Sequence, residues 1–156
     1  MRLHTVFVVT AIALLAGAHA ASAQEVRGIT FGGLTGDVNG QSYPGFGGGV
    51  LVDLGQRWVS AGAQGEAFVS WPYFAGRGAV FGQGNLAPGK LVNPFVVGGV
   101  GFGEDAGPMF GAGLEARVPG QRVGFRFSVE DYTVRFNGFD GGKTHHQVAL
   151  RAGVTF

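Results

Sequence analysis

No cysteine occurs among the 156 residues, so a disulfide framework, a thiolate metal site and lipid attachment through cysteine are all excluded. Charge is scarce as well: Asp, Glu, Lys and Arg make up 13% of the chain, about half the usual soluble share. The Lys and Arg stand singly and the formal net charge is only +1, so no basic stripe awaits a phosphate backbone and nucleic acid is not expected as a partner. No apolar run reaches the roughly 18–20 residues that a membrane-spanning helix needs, and apolar residues nowhere keep a helical spacing for long. What the chain holds in excess is glycine, 31 residues, far above the usual share of about 7%. Disorder does not account for it. Disordered chains combine low hydrophobicity with high charge, whereas the mean hydropathy here is +0.23.

The length allows one compact domain. Its N-terminus has the three parts of a secretory signal: Met1-Arg2 as a short cationic start, an apolar run from Val6 to about Ala16, and Ala21-Ser22-Ala23 as a small-residue cleavage site. Residues 1–23 are therefore expected to be a cleaved signal peptide, with Gln24 the first residue of a mature domain over 24–156.

After Gln24 short segments alternate in polarity between clusters of Gly, Pro, Asn and Asp, the pattern of an all-β chain. In the last segment Val148, Leu150, Ala152, Val154 and Phe156 share one face, opposite Gln147, Ala149, Arg151, Gly153 and Thr155. Before it, Val123, Phe125, Phe127 and Val129 oppose Gly124, Arg126, Ser128 and Glu130, and Phe110, Ala112, Leu114, Ala116 and Val118 oppose Met109, Gly111, Gly113, Glu115 and Arg117. Pro119-Gly120-Gln121-Arg122 joins these two as a tight turn. Strands are expected over 25–34, 45–54, 58–69, 73–83, 91–103, 108–118, 122–134 and 145–156. Short links such as Gly55-Gln56-Arg57 alternate with longer polar ones over 34–44 and 136–146, although Gly84 to Lys90 is long for a turn and Glu104-Asp105-Ala106 short for a loop.

Eight strands with large apolar groups on one face and small or charged ones on the other describe an antiparallel up-and-down transmembrane β-barrel, closed so that no backbone edge meets lipid. The interior of such a barrel is just wide enough to be filled by side chains, so no open pore is expected. Glu66, Arg77, Glu115, Arg117, Arg126, Glu130 and Arg151 fall mostly on the small-residue faces and are expected to form an internal ion-pair network. With Gly120-Gln121 at the centre of the hairpin, Glu115 lies opposite Arg126, and removing Arg126 is expected to strand it. Trp58, Trp71, Tyr73 and Tyr132 lie near strand ends, where amphipathic rings suit a membrane interface.

Three stretches resemble the OmpA/OmpX-like outer-membrane β-barrel family: Asn93-Pro94-Phe95-Val96-Val97-Gly98-Gly99-Val100-Gly101, the strand Gly111-Ala112-Gly113-Leu114-Glu115-Ala116-Arg117 with its hairpin, and Arg151-Ala152-Gly153-Val154-Thr155-Phe156. The likeness spans essentially all of 24–156. It implies a small barrel of the porin-family type in the bacterial outer membrane, in contact with outer-membrane lipid and lipopolysaccharide, and expected as a monomer. It also implies that Val154 and the terminal Phe156 form the signal read by the barrel-assembly machinery. Members serve as structural barrels, adhesins, resistance factors and occasional lipid enzymes, so a structural or surface-interaction role is the expectation, with recognition elements in the 34–44 and 136–146 loops.

Other chemistry finds little support. Gly111-Ala112-Gly113-Leu114-Glu115-Ala116 matches the letters of a dinucleotide fingerprint but lies inside an alternating strand instead of opening a helix. His145-His146 has no carboxylate or Cys at a metal-ligand spacing, so no cofactor or metal is expected. A lipid A deacylase or acyltransferase could draw on Ser128, Glu130 and His146, but no His-x-Ser motif is present and catalysis is not expected. A soluble lipocalin-like barrel binding a small hydrophobic ligand would need the opposite polarity, apolar faces inward. The charged faces are also the Gly-rich ones, which suits a crowded interior.

Overall fold

In the computed structural model of the protein, residues 25–37, 41–54, 57–70, 73–103, 106–135 and 144–156 are described, the side chains of Asp37, Ser70, Tyr73, Phe74, Val134, Arg135, Thr144 and His145 excepted. The expected signal segment lies outside these residues, as do Trp71 and the links over 38–40, 55–56, 104–105 and 136–143.

Eight antiparallel strands run in chain order: β1 (Val26–Asp37), β2 (Ser42–Asp53), β3 (Val59–Ser70), β4 (Tyr73–Asn85), β5 (Val92–Phe102), β6 (Ala106–Arg117), β7 (Gly124–Arg135) and β8 (Thr144–Thr155). Each pairs with its neighbours in sequence, and β1 pairs with β8, so the sheet closes into a barrel. The closing seam runs from Ile29 opposite Thr155 to Asp37 opposite Gln147. The backbone of Phe156 extends it, donating to the Gly28 carbonyl at 3.0 Å and accepting from the Gly28 amide at 2.7 Å.

The strand positions follow the polarity alternation, but several boundaries differ from the sequence expectation. β1 and β2 extend to Asp37 and Ser42, with Gly36 paired to Ser42, so the long polar loop expected over 34–44 shrinks to the link between them. Glycine and small polar residues obscured this, because they pair as readily as they turn. β8 begins at Thr144, which takes 144–146 out of the other expected loop. The apparently long 84–90 link is also tighter than expected: β4 continues to Asn85, and the Lys90 amide donates to the Ala87 carbonyl at 3.2 Å around Pro88-Gly89. The β6–β7 hairpin is built alike, Gln121 donating to Val118 at 3.1 Å around Pro119-Gly120. Among the described residues, Gly89 and Gly120 are those with positive φ, at 81° and 75°. A type II turn needs proline's φ at its second position and a positive φ at its third, which glycine adopts without strain. Both turns lie at the end of the barrel where the chain termini are.

The faces sort by size as well as polarity. Outward stand Val26, Leu34, Phe46, Val80, Val96, Phe110, Leu114, Phe125, Phe127, Val129 and Leu150, all large apolar and exposed. Inward-facing aromatics are accommodated by glycine on adjoining strands. Phe31 sits between Gly47 on β2 and Gly153 on β8, and Phe81 between Gly62 on β3 and Gly99 on β5. A Cβ at Gly113 would run into the Phe95 ring and the Phe127 carbonyl oxygen. Thus the inward glycines make room for buried rings and guanidinium groups together.

Glycines on the two faces should therefore differ in tolerance. Gly113→Ala is expected to lower stability by about 1–3 kcal/mol through overpacking. Outward Gly65, where a Cβ would come no nearer than 4.0 Å to the Arg77 carbonyl oxygen, should accept alanine within about 0.5 kcal/mol. Urea unfolding in detergent micelles, followed by tryptophan fluorescence, measures both; equal effects would contradict the packing role.

Candidate functional site

A charge placed on any of these strands has two sides to choose from, and nearly all choose the inside. Glu66, Arg77, Glu115, Arg126, Glu130 and Arg151 are buried in the barrel, and Arg117 lies partly exposed at its mouth. They fall into two layers. In the layer nearer the termini, Arg27 donates to Glu115 at 2.7 Å and to Asp53 at 3.0 Å, Ser60 donates to Asp53 at 2.6 Å, and Arg117 donates to Glu115 at 3.2 Å. Arg126 stands directly across from Glu115 in the β6–β7 register with a nitrogen 3.6 Å from its carboxylate. It also donates to Gln83 at 2.8 Å and lies 3.8 Å over the Phe95 ring. Gln83 and Asn93 both donate to the Asn85 side-chain carbonyl, at 2.7 and 2.9 Å.

The second layer is a chain of two arginines and two glutamates. Arg77 and Arg151 converge on one oxygen of Glu66, at 2.7 and 2.6 Å, and the other arm of Arg151 pairs with Glu130. Glu130 also accepts from Gln64 at 2.7 Å, the Tyr132 hydroxyl at 2.9 Å and Ser128 at 3.0 Å. Arg77 lies 3.9 Å over the Tyr132 ring, and Arg151 lies 4.5 Å over Phe31. A buried carboxylate is tolerable only when paired and hydrogen-bonded, and each carboxylate here meets at least one guanidinium. Between the layers remains a cavity of about 10 Å³ lined by Gln64, Arg126, Ser128, Glu130 and Arg151, about the room one water needs.

Several expectations change. Tyr132, assigned from sequence to a membrane interface, is buried at 2% exposure in the second layer, because an even offset from Arg126, Ser128 and Glu130 puts it on their face. Glu115 does not depend on Arg126, since Arg27 holds it more closely. Arg27 and Asp53 were missed, as were the amides Gln64, Gln83, Asn85 and Asn93; the missed signal is simply that a polar group in a strand with an apolar outer face must turn inward. Trp58 is 55% exposed at the rim of the terminal end, and Tyr73 opens β4. Val154 faces outward in β8, and the Phe156 ring covers Gly28. Ser128 and Glu130 point inside while His146 is outside, its Nδ1 2.9 Å from Asp131, so the wall separates the residues of the considered acyl-transfer set. The Gly111–Ala116 stretch is mid-strand in β6, without a helix start to receive a phosphate.

This architecture has counterparts among solved structures. Neisserial surface protein A is 12% identical with a TM-score of 0.58, covering 86% of this chain and 96% of that one. The N-terminal β-barrel domain of Pseudomonas aeruginosa OprF is 15% identical with a TM-score of 0.58, covering 86% and 98%. What is shared is the fold. A de novo designed transmembrane β-barrel, 12% identical at a TM-score of 0.54 over 83% and 93%, shares it too, so this topology arises without common ancestry. No family model and no curated protein sequence matches the chain.

The ion pairs differ in what their loss exposes. Arg151→Met, which removes the link between Glu66 and Glu130, is expected to destabilise by about 3–5 kcal/mol. Arg126→Met, leaving Glu115 with Arg27 and Arg117, should cost about 1–3 kcal/mol. Urea midpoints in micelles compare the two variants, and a larger effect at Arg126 would refute this ordering.

Proposed function

We propose that the protein is a small integral barrel of the bacterial outer membrane with a structural or surface-interaction role and no catalytic activity. The observation that carries this reading is the inside-out polarity: ion pairs fill the interior, while the outer wall is dominated by large apolar side chains, with the Asp131–His146 pair as a polar spot on it. In water so much contiguous apolar surface would drive association; in hydrocarbon it is solvated. Length agrees with it. Twelve-residue strands such as β1 and β8, rising about 3.3 Å per residue and tilted by about 40°, reach about 30 Å along the barrel axis, the thickness of a hydrocarbon core. An apolar depression of about 480 Å³ on the outer wall, between Leu34, Leu114, Phe127 and Leu150, is suited to lipid chains.

The two neighbours described as a Neisserial surface protein and as a barrel domain of OprF support an outer-membrane assignment, as does the export signal read in residues 1–23. In this reading Val154 and Phe156 present the closing strand to the barrel-assembly machinery, and the wall contacts phospholipid and lipopolysaccharide. The lipocalin-like alternative loses its support, because a soluble barrel with an apolar ligand would carry its charges outside.

Expression of the full chain in a Gram-negative host tests the reading. The protein should stay with the outer membrane through a carbonate wash, begin at Gln24 by intact mass, and change electrophoretic mobility on boiling. Recovery in the soluble periplasm without a heat-dependent shift would overturn it.

A further inference from the structure

Among the described residues, the charges not used in the interior at one end of the barrel are mainly cationic. At the end carrying the termini, the β2–β3, β4–β5 and β6–β7 links each expose a cation: Arg57, Lys90 and Arg122. Glu25 is the exposed carboxylate side chain among the described residues there, and it lies 3.4 Å from Arg57. Arg117, partly exposed at the same mouth, adds to the positive field. Between the cations stand exposed apolar groups: Leu54 and Trp58 beside Arg57, Leu86 and Leu91 flanking the Lys90 turn, and Val123 beside Arg122. The three links are held together. Asn85 donates its side-chain amide to the Arg57 carbonyl at 2.7 Å and its backbone amide to the Trp58 carbonyl at 2.8 Å, while Arg117 donates its backbone amide to the Leu91 carbonyl at 2.8 Å. The rim is thus a fixed ring in which cations alternate with groups that partition into the acyl boundary.

We infer that this rim is a binding surface for anionic phospholipid headgroups, with Arg57, Lys90 and Arg122 meeting the phosphates and Trp58 seated at the headgroup–acyl boundary. The inference rests on the membrane-barrel reading above and adds to it a lipid class and the end that selects it. Cations near a membrane surface attract anionic lipid, and the attraction weakens with salt. An indole beside them fits the interfacial zone. A binding surface for an acidic soluble polymer would not need the interleaved Leu, Val and Trp side chains, which argues for a lipid leaflet.

The chain has two tryptophans, so Trp71→Phe leaves Trp58 as the sole reporter. This protein is reconstituted in vesicles of equal parts phosphatidylcholine and phosphatidylglycerol, with bromine placed shallowly in the acyl chains of one lipid or the other. Bulk composition is then the same, and only the identity of the quencher differs. Quenching of Trp58 by brominated phosphatidylglycerol is expected to exceed that by brominated phosphatidylcholine about twofold, and to fall to parity at about 1 M salt. The added substitutions Arg57→Gln, Lys90→Gln and Arg122→Gln, all on exposed turns, should remove the excess while the heat-dependent gel shift persists. Equal quenching in the parent, or an excess that survives the triple substitution, overturns the inference and leaves the membrane barrel standing. Absence of quenching by either lipid overturns both.

Discussion

The pairing of β1 with β8 is the constraint on which the remaining structure depends. A sheet of eight strands left open would present two rows of unpaired N–H and C=O groups, which costs several kcal/mol per group in hydrocarbon and invites edge-to-edge association in water. Closure removes both rows. It also fixes the circumference, and with eight strands the enclosed space is narrow enough that long inward side chains reach strands that are not their neighbours. Arg27 on β1 therefore reaches Glu115 on β6, and Arg151 on β8 reaches Glu66 on β3.

Narrowness makes the composition of the chain intelligible. Guanidinium groups, carboxylates and aromatic rings share the interior in two layers, and the rings of Phe31, Phe95 and Tyr132 carry arginines on their faces. Arginine suits this use because its planar, weakly hydrated cation can stack and donate in a fork at once. Lys90, a compact and strongly hydrated charge, follows the exposed Pro88-Gly89 turn instead. Inward glycines such as Gly47, Gly62, Gly99, Gly113 and Gly153 stand beside the rings, where a Cβ would clash. The interior is in effect a salt, neutral in its second layer, surrounded by an apolar jacket.

Much of this was legible from alternation alone where the two faces differ sharply. In β6, β7 and β8 the outward Phe, Leu and Val and the inward Glu, Arg and Gly assign the faces without ambiguity, and the Pro119-Gly120 turn places Glu115 across from Arg126. In β1 and β2 the signal fades. Ile29 and Phe31 face inward beside Arg27, while Gly32, Gly48 and Thr30 face outward, so neither face reads as apolar or polar, and the strand ends among Gly36, Ser42 and Pro44 resemble a loop. Tyr132 was misplaced for a related reason: a tyrosine near a strand end suits an interface by type, and only its parity with Arg126 and Glu130 marks it as interior.

The sequence by itself determined the number of strands, their up-and-down order and the sorting of charge away from the apolar wall, because these depend on period-two alternation and on turn residues that act locally. Which carboxylate meets which guanidinium was decided by the tertiary structure. Arg27 and Glu115 are separated by 88 positions, and no local rule relates them; only closure and the stagger of the strands bring them to one level. The same holds for the cationic rim, whose three members belong to separate hairpins and become a surface because the barrel gathers alternate links at one end.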